Sequence, residues 1–312
     1  MRSDPTQFAL TAPASLQAVL AQLAQNPGTH TPIAGGTELM VALAAGRLPC
    51  HSFLSISHLP ELRFIRITPD AIHLGANTTF TDIRRNPTIA ADLPLLTLAA
   101  SWTGSIANQN RATLGGNLCN ASPAADTPPA LLVYDATVTL ISSGAAPGEI
   151  AQRTLPYRDF HLAYKSTVLR PDELLHTITI PRAYSVHRHF LRKVGTRNAQ
   201  AISKTALAAL ALVSESPATT SDSPSTTPCA RHIQTIRLAA ASLADRPIRL
   251  YATEAALQNA SLAPAHLDAT LRRARAAFAT EAHPIDDIRS TARYRTAVAA
   301  NLLEDFLRSL TT

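Results

Sequence analysis

The chain has 312 residues, of which 46% are apolar and only 5% aromatic, with a formal net charge of +6. That length supports two or three cored domains, and basic charge spread along the chain as arginine, without interleaved aromatics, argues against nucleic-acid binding. Three separated cysteines, Cys50, Cys119 and Cys229, are too few for a disulfide framework, a zinc site or a self-contained iron–sulfur cluster, and fit a reduced cytoplasmic setting.

From the N-terminus, residues 5–37 contain no Asp, Glu, Lys or Arg. Pro13, Pro27, Pro32 and several Gln and Asn residues interrupt the run, so it reads as helix, turn and strand rather than a membrane span, and no signal peptide is visible. The pattern predicts an amphipathic helix over 15–25, a short strand over 31–34, the pair Gly35-Gly36, and an alanine-rich helix from Thr37, its N-cap, to about Ala45. A strand near 53–56 completes a small α/β lobe, taken as residues 1–58. A second, α+β lobe over 59–182 begins with a hairpin at 63–75 turning on Pro69-Asp70. Helices follow at 81–85 and 89–100, then a strand end at Ala112-Thr113-Leu114 before Gly115-Gly116. A helix starts at Pro128, and strands occupy 137–142 and 174–180, stopped by Pro181. The remainder, 187–312, reads as a small antiparallel sheet with strands at 189–194, 205–213 and 233–241, followed by helices. Between the last two strands, residues 216–228 are rich in Ser, Thr and Pro and predict an exposed flexible loop.

The chain has eleven glycines, and four of them form two adjacent pairs eighty positions apart, in PIAGGTEL and RATLGGNLCNASPAAD. In a glycine-poor, alanine-rich chain such pairs mark left-handed backbone or close approach of another group. Each pair is followed by a cap and an apolar run, which suits two walls of one anion site built from helix-start amides and a backbone nest. Neither stretch contains G-x-G-x-x-G or G-x-x-x-x-G-K-[ST], so neither a dinucleotide-binding Rossmann unit nor a triphosphate loop is supported. Asp126 stands just before Thr127-Pro128-Pro129, where a carboxylate can cap the following helix. Glu38 likewise has a bland role at its helix start, and Cys119 reads as a small buried apolar residue. Most of the eleven histidines read as surface or loop residues, and His187 and His189 share a strand face without making a metal site. Neither H-E-x-x-H nor G-x-S-x-G occurs. Only three lysines occur, Lys165, Lys193 and Lys204, and two of them frame KVGTRNAQAISK, where they read either as exposed strand lysines or as a compact ammonium in a site that a guanidinium does not fit.

These three stretches resemble the FAD-binding, or medium, subunit of the molybdenum hydroxylase (xanthine dehydrogenase) family over residues 5–310. The resemblance implies an α+β, two-lobed FAD-binding fold of the vanillyl-alcohol oxidase (PCMH) type, with a C-terminal domain like that of carbon monoxide dehydrogenase flavoproteins. It implies FAD contacts from Pro32, Ile33, Ala34, Gly35, Gly36, Thr37, Glu38 and Leu39 on one wall. Ala112, Thr113, Leu114, Gly115, Gly116 and Asn117 form the other, with Asn120, Asp126, Leu175 and Lys193 added. No catalytic or metal-ligating residue is expected here. Molybdopterin is implied on a large partner subunit and [2Fe–2S] clusters on a small one, in a heterotrimer or a dimer of heterotrimers, with NAD⁺ or another molecule as electron acceptor. The third stretch is most similar to xanthine dehydrogenase subunits. Carbon monoxide, aldehyde and nicotinate dehydrogenases are the alternatives, and a self-contained flavin oxidoreductase of the same fold is another.

Overall fold

The computed structural model of the protein describes residues 5–48, 50–146, 148–197, 200–216 and 230–312. The first unit holds β1 (Ala9–Thr11), α1 (Leu16–Gln25), β2 (Thr31–Ile33), α2 (Leu39–Ala44) and β3 (Ser52–Ser55). Its strands form a parallel sheet in the order β1-β3-β2. Ser15 caps α1 by accepting the Ala18 N–H at 3.2 Å. The helix buries Leu16, Val19, Leu20 and Leu23, a stripe at helical spacing. That stripe packs with Leu54 and Ile56 and also with Ile141 and Leu174 of the next unit, so the two lobes share a core.

The second unit contains β4 (Ile65–Ile67), β5 (Ala71–Gly75), α3 (Phe80–Arg85), α4 (Pro87–Asp92), α5 (Pro94–Trp102), α6 (Ile106–Gln109), α7 (Leu114–Cys119), α8 (Pro128–Val133), β6 (Thr137–Ser143), β7 (Ile150–Pro156), β8 (His161–Ala163), β9 (Ser166–Thr167) and β10 (Leu174–Pro181). Five strands make an antiparallel sheet, β4-β5-β10-β6-β7, with the apolar β10 at its centre. The hairpin turns at Pro69-Asp70 as expected, but the helix predicted over 89–100 is broken. Leu93 leaves helical geometry (φ −129°, ψ 55°) ahead of Pro94, because proline disfavours helical backbone in its predecessor and has no N–H to continue the ladder. Strand β7 escaped the sequence reading, since its residues IAQRTLP sit on an exposed edge and carry no apolar face.

The third unit comprises β11 (Arg188–Val194), β12 (Thr205–Ser216), β13 (Ala230–Ala241), β14 (Ile248–Arg249), α9 (Tyr251–Leu257), α10 (Pro264–Ala279) and α11 (Ala292–Ser309). The sheet runs β11-β12-β13-β14 and is antiparallel throughout. One face meets the helices, with Leu207, Leu238, Phe278 and Phe306 among the buried residues. The other face carries Leu191, Ala208, Leu210 and Ala239 into the main core of the second unit, where α8 packs on β12 and β13. At that junction Asp135, in left-handed backbone (φ 49°), pairs with Arg237 and with Arg249. The Ser/Thr/Pro loop expected at 216–228 falls almost entirely outside the described residues.

Candidate functional site

In the first glycine stretch, β2 runs into Gly35 and Gly36 and then α2. A Cβ on Gly35 would lie 1.9 Å from the Arg111 carbonyl oxygen and 3.1 Å from the Ala112 Cα, so only glycine lets this loop touch the start of the second stretch. Gly36 is left-handed (φ 71°) and turns the chain. The expectation for Thr37 is corrected here. The helix begins at Leu39, Thr37 lies in the turn before it, and the Gly36 carbonyl accepts the Met40 N–H at 2.9 Å. The preceding Glu38 adopts helical backbone and makes no side-chain cap. Pro32, Ile33, Ala34, Thr37 and Leu39 are half-buried and Glu38 is exposed.

The second stretch is not a strand end. Thr113 makes an isolated antiparallel bridge with Thr79 and then caps α7, its hydroxyl accepting the Gly116 N–H at 3.0 Å. The glycine pair therefore lies in the first turn of a helix, where β-structure is ruled out by this cap geometry. A Cβ on Gly115 would sit 2.6 Å from the Ala76 Cβ and 2.7 Å from the Ala76 carbonyl oxygen, whereas at Gly116 it would meet only the Thr113 hydroxyl, at 3.0 Å. Gly115 is buried and Gly116 exposed. One glycine therefore seats the helix and the other leaves its outer face bare. Ala112 is half-buried, Leu114 is fully buried, and Asn117 accepts a 2.6 Å hydrogen bond from the Thr127 hydroxyl.

Asp126 and Lys193 come together from different units. Lys193 Nζ on β11 lies 2.7 Å from Asp126 Oδ2 and donates to the Trp102 carbonyl at 3.2 Å. Both side chains are close to buried, at 10% and 12% exposure. The capping alternative for Asp126 is excluded, since Thr127 is the N-cap of α8 and no side chain caps it. Asp126 Oδ1 is buried with no hydrogen-bond partner. Burial pushes this carboxyl above its ordinary value against the pull of Lys193 and a smaller one from the Thr103 hydroxyl. The Ser122–Asp126 segment is held to the third unit by the Ser242 N–H on the Pro123 carbonyl, at 2.8 Å.

One residue departs from the sequence reading, and two others are placed against the second wall. Cys119 is exposed, not buried, because α7 turns Leu114, Gly115 and Leu118 into the core and its opposite side outward. Leu175 is 4% exposed in the main core on β10, which packs against α7, so it underlies the second wall. His161 is buried, and its Nε2 donates to the Leu118 carbonyl at the end of α7, at 2.8 Å. Two residues were missed outright. Arg111 Nε donates to the Gly35 carbonyl at 3.4 Å, and Lys165 Nζ reaches Asn120 Oδ1 at 2.6 Å and Glu38 Oε1 at 3.5 Å. The spacing of 127 and 45 positions between these partners leaves no local signal, though the rarity of lysine was a hint. Two surface concavities of about 470 and 270 Å³ are lined by no residue of either glycine pair.

The chain matches known proteins in sequence and in fold. Residues 6–183 match the family described as the FAD-binding domain in molybdopterin dehydrogenase, and residues 191–310 match the carbon monoxide dehydrogenase flavoprotein C-terminal domain. The chain belongs to the family of FAD-binding medium subunits of molybdenum hydroxylases. It is 30% identical to the xanthine dehydrogenase FAD-binding subunit of Escherichia coli O157:H7 over 253 residues, 80% of this chain and 78% of that one. It is 33% identical to the nicotinate dehydrogenase FAD-subunit of Eubacterium barkeri over 171 residues, 55% and 57% of the two chains. In fold it is similar to a chain of carbon monoxide dehydrogenase from Hydrogenophaga pseudoflava, with a TM-score of 0.83, 24% identity, and 96% and 95% of the chains covered. Among the described residues no helix is long and apolar enough to cross a membrane.

Proposed function

We propose that this chain is the electron-transferring FAD subunit of a molybdenum-containing hydroxylase acting on a purine or related N-heterocycle. FAD lies between the stretches Pro32–Leu39 and Ala112–Asn117, with Asn120, Asp126, Leu175 and Lys193 completing its surroundings. The observation that carries this reading is the contact of Gly35 with the Arg111–Ala112 backbone, which makes one cleft of two distant stretches. The residues fit the group. The bare outer face at Gly116 admits a ligand against the main chain, and the unpartnered Asp126 Oδ1 suits a donor such as a ribityl hydroxyl.

The flavin, when bound, accepts electrons from the [2Fe–2S] clusters of a small partner subunit and passes them to NAD⁺ or another acceptor, while a large molybdopterin subunit hydroxylates the substrate. The chain's own residues bind, orient and shield. Lys193 and Asp126 fix the third unit against the second at the cleft, and Thr113, Ala76 and His161 hold α7 in place. A purine substrate is supported by KVGTRNAQAISK and by the breadth of the match to the Escherichia coli subunit. The setting proposed is cytoplasmic, within a heterotrimer or a dimer of such trimers.

The test is purification of the chain alone and with its co-expressed neighbours, followed by visible spectroscopy. Flavin absorption is expected in both preparations and iron–sulfur absorption only in the second; a colourless chain that stays so with excess FAD overturns the reading. Turnover of an organic substrate by the isolated chain would favour a self-contained flavoenzyme instead. The purine assignment is checked by comparing hypoxanthine, nicotinate, an aldehyde and carbon monoxide as electron donors to the assembled complex.

A further inference from the structure

The β8–β9 hairpin lies outside all three sequence stretches, yet it is fastened to the cleft at its base and tip. His161 at its base bonds the Leu118 carbonyl, and the Lys165 N–H at its tip donates to the Ala121 carbonyl at 3.1 Å. Lys165 is in left-handed backbone (φ 55°), a conformation that a residue with a side chain keeps only when its surroundings enforce it. The outcome is an ammonium aimed across both walls. It holds Asn120 Oδ1, just past the second glycine pair, at 2.6 Å, and stands 3.5 Å from Glu38 Oε1, two positions past the first.

These two contacts differ in kind. The Asn120 bond is short and fixes the head group. The Glu38 contact is long, and its carboxylate is 62% exposed, so it contributes little and is readily exchanged. An ammonium has three donors and no acceptor, which leaves capacity for a stronger anion. A second cation, Arg111, already touches the first loop through the Gly35 carbonyl. Lys165 and Arg111 therefore both reach the first glycine loop, with the exposed Glu38 carboxylate beside Lys165, a balance suited to a phosphate group and not to a neutral one.

We propose that Lys165 is a phosphate-recognising residue of the cleft, the one by which it selects a phosphate-bearing flavin over an unphosphorylated one. This rests on the FAD reading above and adds a residue to it. The test uses the full chain stripped of flavin and measures the affinities of FAD and of riboflavin by fluorescence titration for wild type, Lys165→Met and Lys165→Arg. Wild type is expected to prefer FAD. Lys165→Met weakens FAD about ten- to hundredfold, the range for a lost hydrogen bond to a charged group, while riboflavin affinity stays within about twofold, and Lys165→Arg recovers part of the loss. The salt dependence of FAD binding should fall in Lys165→Met, because one charge contact is gone. Equal losses for both flavins would overturn the inference and make Lys165 a clasp between the lobes. Unchanged FAD affinity would also overturn it while leaving the FAD reading intact. A wild-type chain that binds neither flavin removes that reading and this inference together.

Discussion

The two walls of the cleft use the same glycine pair for opposite ends. The second wall, α7, is rooted in the main core. Leu114, Gly115 and Leu118 are buried, its start is capped by Thr113, and its end is held by His161. The first wall, α2, has six residues and buries none of them; Met40 is 48% exposed and Val41 60%. Its position comes from the contact of Gly35 with the Arg111–Ala112 backbone. So one wall is preformed, and the other leans on it. Mutations should separate them, damaging the fold when they strike the buried side of the rooted wall and ligand binding when they strike its bare face or the leaning wall.

The largest effect is expected at Gly115. A valine there drives its Cβ into Ala76 backbone and side chain, neither of which can retreat from the core. Gly115→Val should lose more than about 4 kcal/mol of stability or fail to fold. Gly116→Val meets a hydroxyl and solvent, and should cost about 1 kcal/mol in thermal unfolding while abolishing flavin retention. Similar melting losses for both would erase the distinction between the two glycines. Next comes Gly35→Ala, whose Cβ overlaps the Arg111 carbonyl. The first wall must then move away, and flavin affinity should fall about hundredfold with far-UV circular dichroism nearly unchanged, because of this stretch only the half-buried Ala34 packs on the α1 core.

A smaller effect tests how the Asp126–Lys193 pair joins the third unit to the second. Asp126→Asn leaves the Lys193 ammonium nearly buried beside a neutral amide, and should cost about 2–3 kcal/mol. The double variant Asp126→Asn/Lys193→Met should recover much of that loss, because the stranded charge is gone. A double variant as unstable as the sum of its parts would show that the pair is not coupled. Flavin binding should remain impaired in both.

What the sequence displayed and what it hid follow a physical division. Gly35, Gly36, Gly115 and Gly116 stood out because backbone constraint is written locally in residue type. The stripe of α1 and the long strands of the third unit were legible for the same reason. Thr37 misled because a threonine before an apolar run has cap chemistry whether or not the chain uses it, and here the left-handed Gly36 supplies the first helical acceptor. Thr113 was hidden by the opposite circumstance, a short β-like approach that ends in a cap. Strand β7 has register but no apolar face, since an edge exposed to water imposes no alternation. Lys165, Arg111 and His161 act through partners that are distant in sequence, and only the fold brings those partners near.

The mildest prediction concerns His161, the support beneath the end of α7. Burial, with a smaller contribution from Arg246, lowers its pKa below the ordinary histidine value despite the Leu118 bond. The unfolded chain therefore takes up this proton at a higher pH than the folded chain does. Its contribution to stability is fully present above the unfolded value of about 6.5 and declines as the pH falls through the interval down to the depressed folded value. The neutral ring already donates through Nε2, so protonation adds charge in a dry place without adding a needed bond. His161→Gln keeps an N–H donor for Leu118 and removes the titration. Chemical denaturation of wild type between pH 7 and 5 should therefore show a decline that is shallower in this variant. If this histidine steadies the rooted wall, flavin affinity in wild type should weaken over the same interval, and less so in His161→Gln. A parallel pH slope in the two proteins would place the acid sensitivity in some other group and leave α7 indifferent to its histidine.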